Sequence, residues 1–143
     1  MLARVHSAAI LGIEAYAVEV EVDISRGMKK FDIVGLPDKG VRESRERVEA
    51  AIKNSGFEFP GEQIVVNLAP ADIQKAGPAF DLPIAFGILV ASGQIGVDEE
   101  LDGSVLTGEL SLDGILRPVS GVLPMAIGAK AWGKLAFVVP PDN

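Results

Sequence analysis

Asn67-Leu-Ala-Pro-Ala-Asp-Ile-Gln-Lys75-Ala-Gly77-Pro78-Ala-Phe-Asp81-Leu-Pro-Ile-Ala-Phe-Gly-Ile-Leu-Val-Ala-Ser-Gly93 is the stretch on which the reading of the fold turns. Its entry is a strand over Gln63–Ala69, where Ile64, Val65, Val66 and Leu68 give the near-continuous apolar run of a buried strand. A loop from Pro70 to Phe80 follows, stiffened by Pro70 and Pro78, freed at Gly77 and carrying one cation, Lys75. Asp81 is placed to cap a helix, with Pro83 in the first turn, where a missing N–H costs little. No residue from Leu82 to Val97 is charged, which predicts a helix buried on all sides. A strand, a loop and the first turn of a buried helix together can hold a reactive group. The loop tip, Lys-Ala-Gly-Pro-Ala-Phe-Asp, contains no Ser, Cys or Thr.

The rest of the chain sets the frame. At 143 residues it has the size of one domain with a real core. With 48% apolar and 23% charged residues it is globular in composition. A net charge of −7 and a pI near 4.7 disfavour gripping phosphate backbones. The absence of Cys excludes disulfides and thiolate chemistry and fits a cytoplasmic protein. The N-terminus lacks the apolar core of a signal peptide, and the uncharged run from Leu82 to Val97 falls short of the roughly 20 residues that span a bilayer, so no membrane partner is expected.

Read in order, residues 2–36 suggest a three-stranded antiparallel meander. Tyr16, Val18, Val20, Val22 and Ile24 alternate with Ala17, Glu19, Glu21 and Asp23 at strict period two. Asp38 is expected to cap a helix running to about Ser55 and closed by Gly56, with Val41, Val48, Ala51, Ile52 and Ser55 inward. Its outer face pairs Arg42/Glu46, Glu43/Arg47, Arg45/Glu49 and Glu49/Lys53 at i,i+4. The acids interleaved with Lys39, Arg42, Arg45, Arg47 and Lys53 make this a solvated face rather than a nucleic-acid surface. Gly93–Gly103 reads as a polar connector, Ser104–Val119 as a hairpin around Asp113-Gly114, and Gly121–Gly133 as a third helix. Leu135–Val139 reads as a last buried strand. The terminal Pro140-Pro141-Asp142-Asn143 suggests a cut within a longer protein.

Catalytic chemistry finds few holds. One His and no Cys leave no metal cluster, and His6 on a strand reads as structural. Glu19/Glu21 and Glu99/Glu100 fall on a wet face and in a loop. Gly128 to Leu135 matches G-x-x-x-x-G-K but ends in Leu rather than a hydroxyl, and its context runs helix to strand, the reverse of a phosphate loop.

Lys75-Ala-Gly-Pro-Ala79, with its buried helix, resembles the loop of Lon-type proteases, where Lys-Asp-Gly-Pro-Ser carries the nucleophile, and Thr107–Gly121 resembles that family's following hairpin. On this resemblance the nucleophile position falls on Ala79 and the base position on Leu123, neither of which can attack or accept a proton. A wider resemblance covers essentially the whole chain. Val34-Gly-Leu-Pro37, Val41-Arg-Glu-Ser-Arg-Glu-Arg-Val48, Asn67–Asp72 and Asp81-Leu-Pro-Ile-Ala85 are similar to the N-terminal domain of the Mg-chelatase-like ATPases, the ComM/YifB family.

That resemblance implies an α/β (α+β) domain over residues 1–143, like ribosomal protein S5 domain 2 and the Lon protease domain: a sandwich of a mixed sheet with about three helices. It also implies an AAA+ module beyond Asn143, which would hold ATP and Mg, whereas no cofactor is expected in these residues. The implied partners are that module, neighbouring subunits of a hexamer, and DNA through the full-length protein, in natural transformation. The expectation is a non-catalytic assembly or docking module, against two alternatives: a Ser-Lys peptidase, disfavoured by Ala79 and Leu123, and an S5-like nucleic-acid binder, disfavoured by the acidic balance and the single Trp and Tyr. The candidate docking loop is Lys75, Gly77, Pro78 and Asp81. It lies beside a helix N-terminus where anions are favoured, unless Asp81 caps that helix and pairs with Lys75. If the loop docks an anion of the ATPase module, Lys75→Ala should impair assembly and leave the domain's own melting temperature nearly unchanged.

Overall fold

The computed structural model describes residues 1–143. It is mixed α/β. The strands are β1 (Leu2–Leu11), β2 (Glu14–Ser25), β3 (Lys30–Val34), β4 (Gln63–Ala69), β5 (Ser104–Leu106), β6 (Glu109–Leu110), β7 (Leu116–Arg117) and β8 (Ala136–Val138). The helices are α1 (Lys39–Arg42), α2 (Ser44–Asn54), α3 (Asp81–Ala91), α4 (Glu99–Asp102) and α5 (Val122–Ala131), of which α2, α3 and α5 exceed one turn. Six strands form one mixed sheet in the order β3-β4-β2-β1-β5-β8, and β6-β7 form a separate ribbon.

Period-two patterning in β1, β2 and β4 makes the layers. Val5, Val18, Val20, Val22, Ile64, Val66 and Leu68 project to one face, where α3 and α2 close the main core around Ile84 and Ile88. α5 covers part of the opposite face through Met125 and Ala129 against Ala8 and Val105. The remainder of that face is wet, with Arg4 bridging Glu19 and Glu21 at 3.4 Å each. α3 is buried on all sides except at Phe86, as its uncharged run predicts. It lies so close to β2 that a Cβ on Gly87 would stand 2.5 Å from Val22 Cγ2.

Five expectations need correction. The first strands are not a meander: β3 pairs in parallel with β4, and β4 lies between β3 and β2, antiparallel to β2 alone. Parallel neighbours need a crossover, and α1-α2 supply it; local alternation cannot reveal which strand becomes the neighbour. The predicted helix over 38–55 is capped by Asp38, whose Oδ1 accepts from Val41 N–H at 2.8 Å, but it breaks at Glu43. There Arg47 Nη2 donates to the Gly40 carbonyl (3.1 Å), which an uninterrupted helix would offer to the Ser44 N–H. Within that helix Val41, Val48, Ala51 and Ile52 are buried as predicted, but the stripe takes in Ser44 and leaves Ser55 exposed. Residues 104–106 join the main sheet, so the Asp113-Gly114 hairpin is confined to β6-β7. The connector 93–103 contains α4, capped by Asp98. Finally, β8 is an exposed edge strand, preceded by Leu135 at 89% exposure. The phosphate-loop lookalike runs from α5 through Gly133 (φ +74°) into β8, helix to strand as read.

Candidate functional site at the Lys75 to Asp81 loop

The loop is stitched down along its length. Lys75 N–H donates to the Leu36 carbonyl and Asp38 N–H donates to the Lys75 carbonyl, each at 2.9 Å. At the far end Gly108 N–H donates to the Ala79 carbonyl (2.9 Å), and Leu82 N–H donates to the Gly108 carbonyl (3.1 Å). The sequence therefore uses Gly-Leu-Pro37 and Thr107-Gly108 as clamps for a segment distant in the chain.

Lys75 does not reach Asp81. Its side chain is 0% exposed, and Nζ donates to the carbonyls of Gly35 (2.9 Å) and Pro70. Burial pushes its pKa below the ordinary lysine value, opposed in part by Asp72. Gly35 is required where it stands: its φ is +99°, and a Cβ would lie 2.3 Å from the Leu68 carbonyl oxygen.

Asp81 does not cap α3 either. It is the first residue of the helix, after Phe80 at the N-cap position, and Phe80 makes no side-chain cap bond. The Asp81 carboxylate, 0% exposed, accepts from Arg47 Nε (2.6 Å) and Nη2 (3.1 Å) and from Leu110 N–H (3.0 Å). The Asp81 hydrogen bond holds the Arg47 pKa above its ordinary value. Arg47, assigned from spacing to the solvated face of α2, is thus the main functional-loop residue that sequence reasoning misses. Its partner lies 34 residues on, and only its place within the Val41–Val48 motif hints at more than surface.

Gly77 and Pro78, the other two loop candidates, line a cleft of about 400 Å³. Ala76, Ala79 and Phe80 share that wall; Ala8, Ala9 and Ile10 of β1, Tyr16, Gln74, Pro118–Ser120 and Met125 complete it. The Tyr16 hydroxyl donates to the Gln74 carbonyl at 3.4 Å, and partial burial raises its pKa. No Asp, Glu, Lys, Arg or His lines the cleft. Ala79 therefore sits at its wall with a methyl group where the Lon-type pattern has a hydroxyl. Leu123, at the base position, is 71% exposed on the first turn of α5 and lies outside the lining. The arrangement offers shape, apolar surface and main-chain groups, and no residue suited to proton transfer near neutral pH.

Elsewhere, His6 Nε2 lies 3.3 Å from Asp102 Oδ1 on the wet side of β1. Of the four i,i+4 pairs on α1-α2, Glu49/Lys53 (2.8 Å) and Glu43/Arg47 (3.8 Å) are formed. No helix is long and apolar enough to cross a membrane.

Comparison with known proteins places these features. A family model described as subunit ChlI of Mg-chelatase matches residues 20–143. The chain is 46% identical over 142 residues to the protein YifB of Escherichia coli (strain K12), covering 99% of this chain and 28% of that protein. It is also 46% identical over 142 residues to the competence protein ComM of Haemophilus influenzae, again covering 99% of this chain and 28% of the relative. A more distant similarity, 28% identity over 88% of this chain, relates it to Lon protease 2 of Bacillus subtilis (strain 168). The chain thus spans 28% of the length of YifB and of ComM.

Proposed function

Because the chain belongs to the Mg-chelatase-like family of ComM and YifB, we propose that it is a non-catalytic, Lon-like docking module serving the assembly of a larger AAA+ ATPase. One observation carries this reading: the loop that would present a nucleophile is kept in shape by Lys75, Asp81 and Gly108, yet presents Ala79 to a cleft lined by no Asp, Glu, Lys, Arg or His. A scaffold of this kind can position a partner and cannot activate a nucleophile. ATP and Mg belong, on this proposal, to the ATPase module of the longer protein. That protein assembles as a hexamer in the cytoplasm and handles DNA, in keeping with the competence name borne by ComM. Docking falls to Gly77 and Pro78, while Lys75 and Asp81 support the loop from beneath.

The test has two arms. The purified chain, incubated with unfolded casein or with ATP, should release neither peptides nor phosphate above buffer. In the longer protein, removing residues 1–143 should impair ATP-dependent assembly while leaving the isolated ATPase module folded. Turnover that follows the purified chain through chromatography defeats the non-catalytic reading, and normal assembly of the truncated protein defeats the docking reading.

A further inference from the structure

We propose that the cleft beside Ala79 binds an extended, uncharged peptide segment of a partner protein as a strand added to the free edge of β1. This names the partner class for the docking role above and rests on that reading.

The direction of the main-chain groups of β1 follows from its end. Met1 and Ile24 exchange both bonds, Met1 N to the Ile24 carbonyl (2.8 Å) and Ile24 N–H to the Met1 carbonyl (3.2 Å). With the register running from Leu2↔Asp23 to Leu11↔Glu14, odd-numbered residues of β1 bond β2, and even-numbered residues turn their N–H and C=O the other way. On that other side β5 pairs with β1 only at His6↔Val105. Beyond it the chain leaves: Thr107 N–H goes to the Val138 carbonyl and Gly108 N–H to the Ala79 carbonyl. The Ala8 carbonyl and both main-chain groups of Ile10 are left without a strand, loop or side-chain partner.

This short edge opens into the cleft. Ala8, Ala9 and Ile10 line it together with Gly77–Phe80, and its volume is about 400 Å³. Unpaired donors and acceptors alternating at strand spacing select an extended chain, because a helix has already used its own N–H and C=O groups. Side chains of an added strand alternate between the cleft and solvent. A charged side chain entering the cleft would find no counter-charge among the lining residues, so the inserted residue must be apolar or small.

The probe is the peptide acetyl-Thr-Val-Leu-Val-Thr-amide, titrated into the isotopically labelled chain and followed by NMR. Saturable shifts should concentrate at Ile10 and Gly77–Phe80, and exchange of the Ile10 amide proton should slow. The same peptide N-methylated at alternate residues should not bind, since it cannot pair along an edge. Ile10→Pro removes the edge donor and leaves the β1-β2 bonds, which use the odd-numbered residues. Ala79→Phe fills the cleft. Each variant should weaken binding at least about tenfold. If Ile10→Pro does not fold, Ala79→Phe and the N-methylated peptide still decide. The proposal is overturned by shifts mapping elsewhere, by equal binding of the N-methylated peptide, or by no binding at about 1 mM peptide. Concentration-dependent shifts at Ile10 in the chain alone would give the edge to a second copy and equally overturn it. Peptide binding at this edge, together with normal assembly of the longer protein lacking residues 1–143, would keep the strand site and reject only the assembly role.

Discussion

The Arg47 guanidinium and the Asp81 carboxylate form a two-point ion pair, Nε to Oδ2 at 2.6 Å and Nη2 to Oδ1 at 3.1 Å, joining α2 to the start of α3. Asp81 is wholly buried, and its remaining capacity goes to the Leu110 N–H at the β6 ribbon. One carboxylate therefore fixes three elements around the loop. Such a pair contributes little net stability relative to an apolar pair, but removing one partner strands a buried charge, at about 3–5 kcal/mol. Arg47→Met should lower unfolding free energy by that order in urea titration. Arg47→Met with Asp81→Leu should lose distinctly less than the sum of the single variants. Additive losses would show that the two side chains are not coupled.

Lys75 yields a prediction opposite to the one its sequence context suggests. A surface lysine could be truncated freely; this one is buried with Nζ bonded to two carbonyls. Lys75→Met leaves the Gly35 and Pro70 carbonyls unsatisfied, each costing about 1–3 kcal/mol, so its melting temperature should fall clearly. The pH dependence has a definite sign. The folded pKa lies below the ordinary 10.5, so between the two values the unfolded chain binds more protons and stability rises with pH. Measured against Lys75→Met, whose other titrating groups are the same, the wild-type advantage should grow as pH climbs through that window. A constant difference would place Lys75 in a solvated setting.

How far the sequence reveals this architecture depends on the range of the interaction involved. β4, α3 and the glycine ends of α5 are legible because each follows from its own residues: an apolar run, an uncharged helix, and Gly121 and Gly133 at positive φ, although β4 is buried on one face only and leaves Val65 exposed. The candidate site is legible as the loop between β4 and α3. Its supports are not, since Arg47 to Asp81, Lys75 to Gly35 and Gly108 to Ala79 each join residues well separated in sequence. Arg47 also satisfies the i,i+4 pattern with Glu43, at 3.8 Å, so a local rule accounted for it before the distant partner could be considered. The order of β3 and β4 failed for the same reason, because alternation sets a strand's faces and not its neighbour.

The main core should respond to truncation far more than the outer face of α2. Ile88 and Leu89 are buried in α3 within the main core, whereas Glu46 is exposed and has no ion-pair partner. Leu89→Ala should cost about 2–5 kcal/mol. Glu46→Ala should change stability by less than about 0.5 kcal/mol. Similar small shifts for both in thermal denaturation would mean that α3 is not the centre of the core.

The closest test of packing is Gly87→Ala, because two effects oppose each other there. In a helix interior, alanine is favoured over glycine by up to about 1 kcal/mol, and on an exposed face the change would stabilise. Here the added methyl would stand 2.5 Å from Val22 Cγ2, with Val22 itself wholly buried in β2. Neither α3 nor the central strand can retreat without opening the core, and overpacking of this kind costs about 1–3 kcal/mol. The steric term should win, so Gly87→Ala should destabilise. Adding Val22→Ala removes the opposing methyl groups, so the loss on introducing alanine at 87 should shrink or reverse in that background. The four proteins of this cycle, compared by urea unfolding, give the coupling directly. A stabilising Gly87→Ala in the wild-type background would show that α3 rides higher above β2 than this packing allows.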